Sequence, residues 1–195
     1  MGRIGKQLEI LDFGLSQREL LSIGRIVALW GSLEYEIFQQ VIMSFSNVPD
    51  EKLPKEMNNL QFSKILDLWE LRVVNRAEVG RRGVLEKACA SIRSNYDFRN
   101  AIVHGMWNWS SSAPEVIRAT RVRKKEILST LFTASDLASF VSFLERTNFL
   151  IRYPGGREEY LNARTEQGGY MSRGMVCLMT DNPLMDDFLP LFRKR

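Results

Sequence analysis

At 195 residues, with 45% apolar and 26% charged content, the chain suits one domain plus a tail or insertion rather than two full domains. No apolar run approaches the ~20 residues of a membrane-spanning helix, MGRIGKQLEILDFG lacks the apolar stretch of a secretory signal, and Lys6 fails the myristoylation pattern. The formal charge is +4, and 19 of the 27 basic residues are arginine, an excess that arises from phosphate recognition or from a GC-rich genome.

Ser16-Gln17-Arg18-Glu19 is a capping box, the hydroxyl accepting from the third amide while the glutamate reaches back. It opens a helix expected to run to about Phe45. Ile23, Val27, Trp30, Leu33, Ile37, Val41 and Phe45 recur three or four apart and make one stripe. Asn47 to Asp50, with Pro49 as breaker, end it. A second helix is expected from about Asn59 to Asn75, with Leu60, Ile65, Leu68, Trp69 and Leu71 on its apolar side. A third begins after Gly80-Arg81-Arg82-Gly83, carries Leu85, Ala88, Cys89, Ile92, Tyr96 and Val103 on one face, and is capped by Gly105.

The period then changes. From Met106 to about Leu131, Trp107, Trp109, a Ser-Ser-Ser-Ala-Pro turn and the run Glu115 to Val122 read as a β-hairpin or short meander. Thr133-x-x-Asp136 caps a fourth helix bearing Leu137, Phe140, Val141, Leu144 and Ile151, broken by Pro154-Gly155-Gly156. Residues 157–195 hold no sustained period and read as an irregular tail with one short helix near Leu184–Phe192. The expected fold is mainly α: about four helices in a bundle, a small β-hairpin insertion and an irregular C-terminal tail. A helical domain over 1–156 carries the β insertion at about 106–131, and 157–195 form a C-terminal extension.

Histidine occurs once, as His104, so any imidazole chemistry must use it. On a helical wheel Arg99 lies ~40° from the centre of the third apolar stripe, while Asn100 and His104, four apart, share its flank. A guanidinium in an apolar stripe is costly unless a carboxylate, a symmetry mate or a phosphate satisfies it. Glu34 and Glu36 are candidate partners. Arg99 and His104 point ~140° apart on an ideal helix. They converge only if the helix ends at His104 or if two chains build one site. Either way a permanent cation and a titratable base surround one phosphate. His104 then deprotonates a ribose 2′-hydroxyl or protonates the leaving oxygen, Arg99 stabilises the phosphorane-like transition state, and Asn100 orients imidazole or substrate. The competing reading is a histidine capping a helix end, with Arg99 in a buried ion pair.

The run Arg99-Asn100-x-x-x-His104, ending a helix and followed by Gly105, resembles the R-x4-H form of the HEPN superfamily signature, whose arginine is usually followed by a polar residue. Trp30-x-x-Leu33-Glu34 is similar to the first helix of its phage-defence and uncharacterised bacterial branches, and the resemblance covers roughly residues 16–152. It implies a metal-independent endoribonuclease without cofactor, in bacterial defence or toxin–antitoxin systems. It also implies a homodimer whose two motifs face each other, RNA as substrate, and an antitoxin or regulatory protein as a further partner. The alternative is a non-catalytic HEPN-like dimer that binds RNA, a nucleotide or a partner protein. Some HEPN toxins carry a tyrosine two residues after the histidine, which a partner enzyme adenylylates; here that position is Met106, so this control is not implied.

Five basic residues, Arg118, Arg121, Arg123, Lys124 and Lys125, follow Trp107 and Trp109 and read as a phosphate-tracking patch with stacking aromatics, or as a solvated edge strand. One histidine with Cys89 and Cys177 is too little for a zinc site, and the thiols are expected to be reduced in a cytoplasmic protein. No phosphate-binding loop, dinucleotide fingerprint or Gly-x-Ser-x-Gly elbow is present.

Overall fold

Five α-helices and three strands follow one another in a computed structural model, which describes residues 14–45, 53–123 and 126–166. Helix α1 (Gln17–Met43) starts on the expected box: the Ser16 hydroxyl accepts from the Glu19 amide at 3.3 Å and Glu19 takes the Ser16 amide at 2.7 Å. Ile23, Ile26, Trp30, Leu33, Ile37 and Val41 are buried along it, whereas Val27 is exposed. At ~100° per residue the core-facing line drifts, and Ile26 takes the place assigned to Val27. The helix stops at Met43, and the Pro49 breaker lies outside the described residues.

Helix α2 (Phe62–Arg72) is shorter than expected and is flanked by single 3-10 turns at Lys55–Met57 and Val74–Arg76. Asn59 has φ +56°, a left-handed turn conformation that asparagine tolerates but a helix does not, so the helix cannot begin there. Helix α3 (Val79–His104) begins before Gly83 instead of after it, because Gly80 and Gly83 lie in an open first turn with no atom against them.

Strands β1 (Met106–Ser110), β2 (Ala113–Arg123) and β3 (Glu126–Phe132) form an antiparallel meander in the order β1-β2-β3. Ile117, Ala119 and Phe132 face inward and are buried, while Met106, Val122, Ile127 and Leu131 are exposed on the other face. Gly105 joins helix to sheet with φ −79°, so its role is not a left-handed cap. A Cβ there would lie 2.3 Å from the Ala101 carbonyl oxygen and 3.1 Å from the Ala119 Cβ. Only glycine lets β2 pass so close to the end of α3.

Helix α4 (Ala134–Arg152) is opened by the Thr133–Asp136 box and packs along α1. Its contacts with α1 advance together: Asn148 donates to the Leu29 carbonyl at 3.0 Å, Arg152 to the Ser32 hydroxyl at 3.1 Å, and Gln40 to the Ile151 carbonyl at 2.8 Å. The two helices therefore run the same way. So does α2, whose Phe62 ring packs on Trp30 while Trp69 donates to Gln40 at 2.8 Å. Helix α3 runs back, Arg93 meeting Asp67 and Tyr96 meeting Phe62. That reversal brings its C-terminal turns beside Trp30.

The chain divides into two compact units at Pro154/Gly155. The second opens with helix α5 (Arg157–Glu166), so the extension does not begin as an irregular tail; the helix expected near Leu184–Phe192 lies outside the described residues. Among the described residues no helix is long and apolar enough to cross a membrane.

Candidate functional site at the end of α3

Helix α3 ends at His104, and the unwinding that follows removes the angular separation of an ideal helix. Arg99 Nη1 lies 3.3 Å from His104 Nε2 and donates to Asn100 Oδ1 at 2.9 Å. The three side chains meet within one chain. Guanidinium has donors only, so the contact is a hydrogen bond in the tautomer whose Nε2 presents a lone pair.

Burial differs from the wheel. Asn100 is only 5% exposed, whereas His104 is exposed. Asn100, Ala101 and Ile102 are all buried because the sheet covers the side of α3 that faces solvent earlier along the helix. Trp107 fixes that cover by donating its indole N–H to the Ile102 carbonyl at 3.1 Å. Asn100 therefore grips the arginine from the core side, and His104 faces outward from it.

Neither candidate carboxylate meets Arg99. Glu34 accepts the Trp30 indole N–H at 2.7 Å, and Glu36 pairs with Arg152 at 3.0 Å. Among the described residues no acid pairs with Arg99. Its Cζ instead stands 5.5 Å from the centroid of the fully buried Trp30 ring, within cation–π range. Arg99 Nε is buried without a partner. The charge is held by a ring face and an amide and, among the described residues, by no acid. The sequence offered Glu34 as a partner for Arg99, and Trp30 only as part of the apolar stripe of α1. Their i, i+4 spacing was the one sign that they act together.

No family model, curated protein or solved structure matches this chain. The site therefore has to be read from its own chemistry.

The basic patch is divided by the sheet. Arg118 pairs across with Asn108 and Leu131 on the exposed face. Arg121, three residues on, alternates to the face of Ile117 and Ala119, where Trp107 also lies. For Arg123 only the backbone is described, and Lys124 and Lys125 lie outside the described residues. Neither Arg118 nor Arg121 is brought into contact with Arg99 or His104.

Other reactive groups are accounted for by structure. Burial pushes the Cys89 thiol above its ordinary range, which makes it a poor nucleophile. Asp67 lies below the usual carboxylate range because Arg93 donates to it. Asp136 is lowered by the Thr133 amide and hydroxyl, so both acids are fold-stabilising ions. Among the described residues no three His, Cys, Asp or Glu side chains are grouped to hold a metal ion.

Proposed function

We propose that this chain is a metal-independent endoribonuclease of the HEPN type, working as a cytoplasmic homodimer in bacterial defence or toxin–antitoxin biology. The observation that carries the reading is the 3.3 Å approach of Arg99 Nη1 to His104 Nε2, with no acid on the guanidinium. An RNA phosphate enters between the two groups and replaces that contact. His104 Nε2 takes the proton of the ribose 2′-hydroxyl, and the 2′-oxygen attacks phosphorus. Arg99 stabilises the added negative charge of the phosphorane-like transition state. The bond to the 5′-oxygen breaks, that oxygen takes a proton from a water molecule, the hydroxide left behind takes the proton held on His104, and the products are a 2′,3′-cyclic phosphate and a 5′-hydroxyl end. Asn100 holds the guanidinium in place throughout.

The test is incubation of the purified protein with total RNA in EDTA, beside His104→Ala. Fragmentation by the wild type alone is expected, with cyclic phosphate at the new ends. Intact RNA in both, or equal fragmentation by both, rejects the reading.

A further inference from the structure

Trp30 joins two polar groups: its ring lies under the Arg99 guanidinium, and its N–H is held by Glu34 at 2.7 Å. Glu34 also lines a pocket of about 360 Å³ between α1 and the start of α2, with Tyr35, Phe38, Leu60 and Phe62 as apolar walls. That volume lies at the small end of the range for small-ligand sites. Among the described residues Glu34 is the one charged side chain in the lining. It is half-buried, its Oε1 accepts from the indole, and no donor among the described residues meets Oε2. The indole therefore fixes the carboxylate while acceptor capacity is left over. Gly31 forms the remaining side and has no side chain within 4 Å of where a Cβ would stand, so the pocket is open there.

We infer that this pocket binds a guanine base of single-stranded RNA, and that Glu34 sets the base preference. A carboxylate only accepts hydrogen bonds, so it selects an edge that only donates to it. Guanine places two donors side by side on its Watson–Crick edge, N1–H and the N2 amino group. Adenine, cytosine and uracil each set an acceptor next to their donor, and a carboxylate repels it. The Tyr35, Phe38 and Phe62 rings supply faces for a planar base. A basic side chain of a protein partner also suits a carboxylate among rings. Arg99, however, stands one indole away with no acid on it among the described residues, and it repels a second cation. A nucleotide meets both demands, with an anionic phosphate for the cation and base donors for the carboxylate. Its ribose separates the two by a span comparable with one indole. The inference rests on RNA being the substrate of the α3 site and deepens that reading: the guanosine adjoins the phosphate held by Arg99.

The experiment measures binding of fluorescein-labelled ten-nucleotide oligouridylates to His104→Ala by fluorescence polarisation, with uridine, adenosine, cytidine, guanosine or inosine at the central position. Guanosine is expected to bind about tenfold more tightly than the first three, within the range for a bidentate base contact. Inosine, which keeps N1–H and lacks the N2 amino group, falls between. Adding Glu34→Gln keeps an acceptor for the Trp30 N–H but turns a donor toward the base. It is expected to abolish the guanosine preference and to leave affinity for the all-uridine strand within about twofold. Gly31→Leu fills the open side without touching Glu34 and raises helix propensity, so it removes the preference in a protein that keeps its fold. Equal affinity for all five strands, a preference for another base, a guanosine preference that survives either substitution, or no RNA binding at all overturns the inference. A guanosine preference that needs Glu34 in a protein that never cleaves RNA leaves the pocket standing and rejects only the nuclease reading. Cleavage of RNA without that preference does the reverse.

Discussion

Arg93 and Arg99 lie six residues apart on the same helix, and their surroundings have opposite character. Arg93 donates to Asp67 at 2.8 Å and to Glu70 at 2.7 Å, bridging α3 to α2 through two carboxylates. Arg99 meets an indole face, a buried amide and an imidazole, and among the described residues no acid at all. A cation already neutralised by two acids has little attraction left for an anion. A cation held by neutral groups keeps its charge for use, at the cost of leaving a buried Nε without an acceptor. The first arginine is committed to the fold, and the second keeps the charge that the proposed site requires.

The sharpest way to break that comparison is to delete each arginine. Arg99→Ala is expected to lower kcat/KM on RNA by on the order of a hundredfold or more, the scale of losing one transition-state donor. Its urea midpoint stays close to the wild type. Arg93→Ala is expected to leave cleavage within about threefold and to lower the midpoint instead. Equal loss of cleavage in both variants, measured on one fluorogenic oligoribonucleotide, ends the distinction.

The ring beneath Arg99 comes next. Trp30 is fully buried, ringed by Phe62, Tyr96 and Phe140, with its N–H on Glu34 and the Arg99 guanidinium over its ring. Trp30→Ala is expected to cost ~3–5 kcal/mol of stability, read from urea unfolding, because the cavity it leaves is walled by other rings. Trp30→Phe keeps an aromatic face under the guanidinium and loses the bond to Glu34 together with part of the ring volume, so its cost is expected to fall below that of Trp30→Ala. If Trp30→Phe cleaves RNA as poorly as Arg99→Ala, the ring face is not what holds Arg99.

Much of this architecture was legible in the sequence, and the reasons are local. Both capping boxes, the stripe of α1 and the switch from period 3.6 to period 2 at Met106 depend on residues near one another in the chain. The convergence of Arg99 and His104 was legible only as a condition, that α3 end at His104 or that two chains build one site. What escaped was every long-range choice. The burial of Asn100 depends on a sheet folding back over α3, and no helical wheel contains the sheet. Glu34 and Glu36 were both open to Arg99 until the relative placement of α1 and α3 was known. The basic run in β2 looked like one patch, but strand alternation puts Arg118 and Arg121 on opposite faces, a consequence of pairing that charge counting ignores.

The smallest expected effect isolates the structural arginine. Hydrogen bonding from Arg93 is the main reason that Asp67 sits below the usual carboxylate range; desolvation opposes it and Lys64 assists. In the unfolded chain an aspartate titrates near ~3.9. A carboxyl whose folded value is depressed stabilises the fold above the unfolded value, and that stability is lost as pH falls through the folded one. The gap in urea midpoint between wild type and Arg93→Ala should therefore be full at pH ~5 and shrink by pH ~3. Asp136 titrates identically in both proteins, because its partner is Thr133, and drops out of the difference. The side chains of Arg93 and Asp67 are 38% and 45% exposed, so solvent screening holds the gap below ~1 kcal/mol and added salt narrows it further. Arg99→Ala, lacking any carboxylate to release, should show no such change between the same two pH values. A gap that stays constant for Arg93→Ala, or that opens for Arg99→Ala, would mean that the two arginines are not divided by their acids after all.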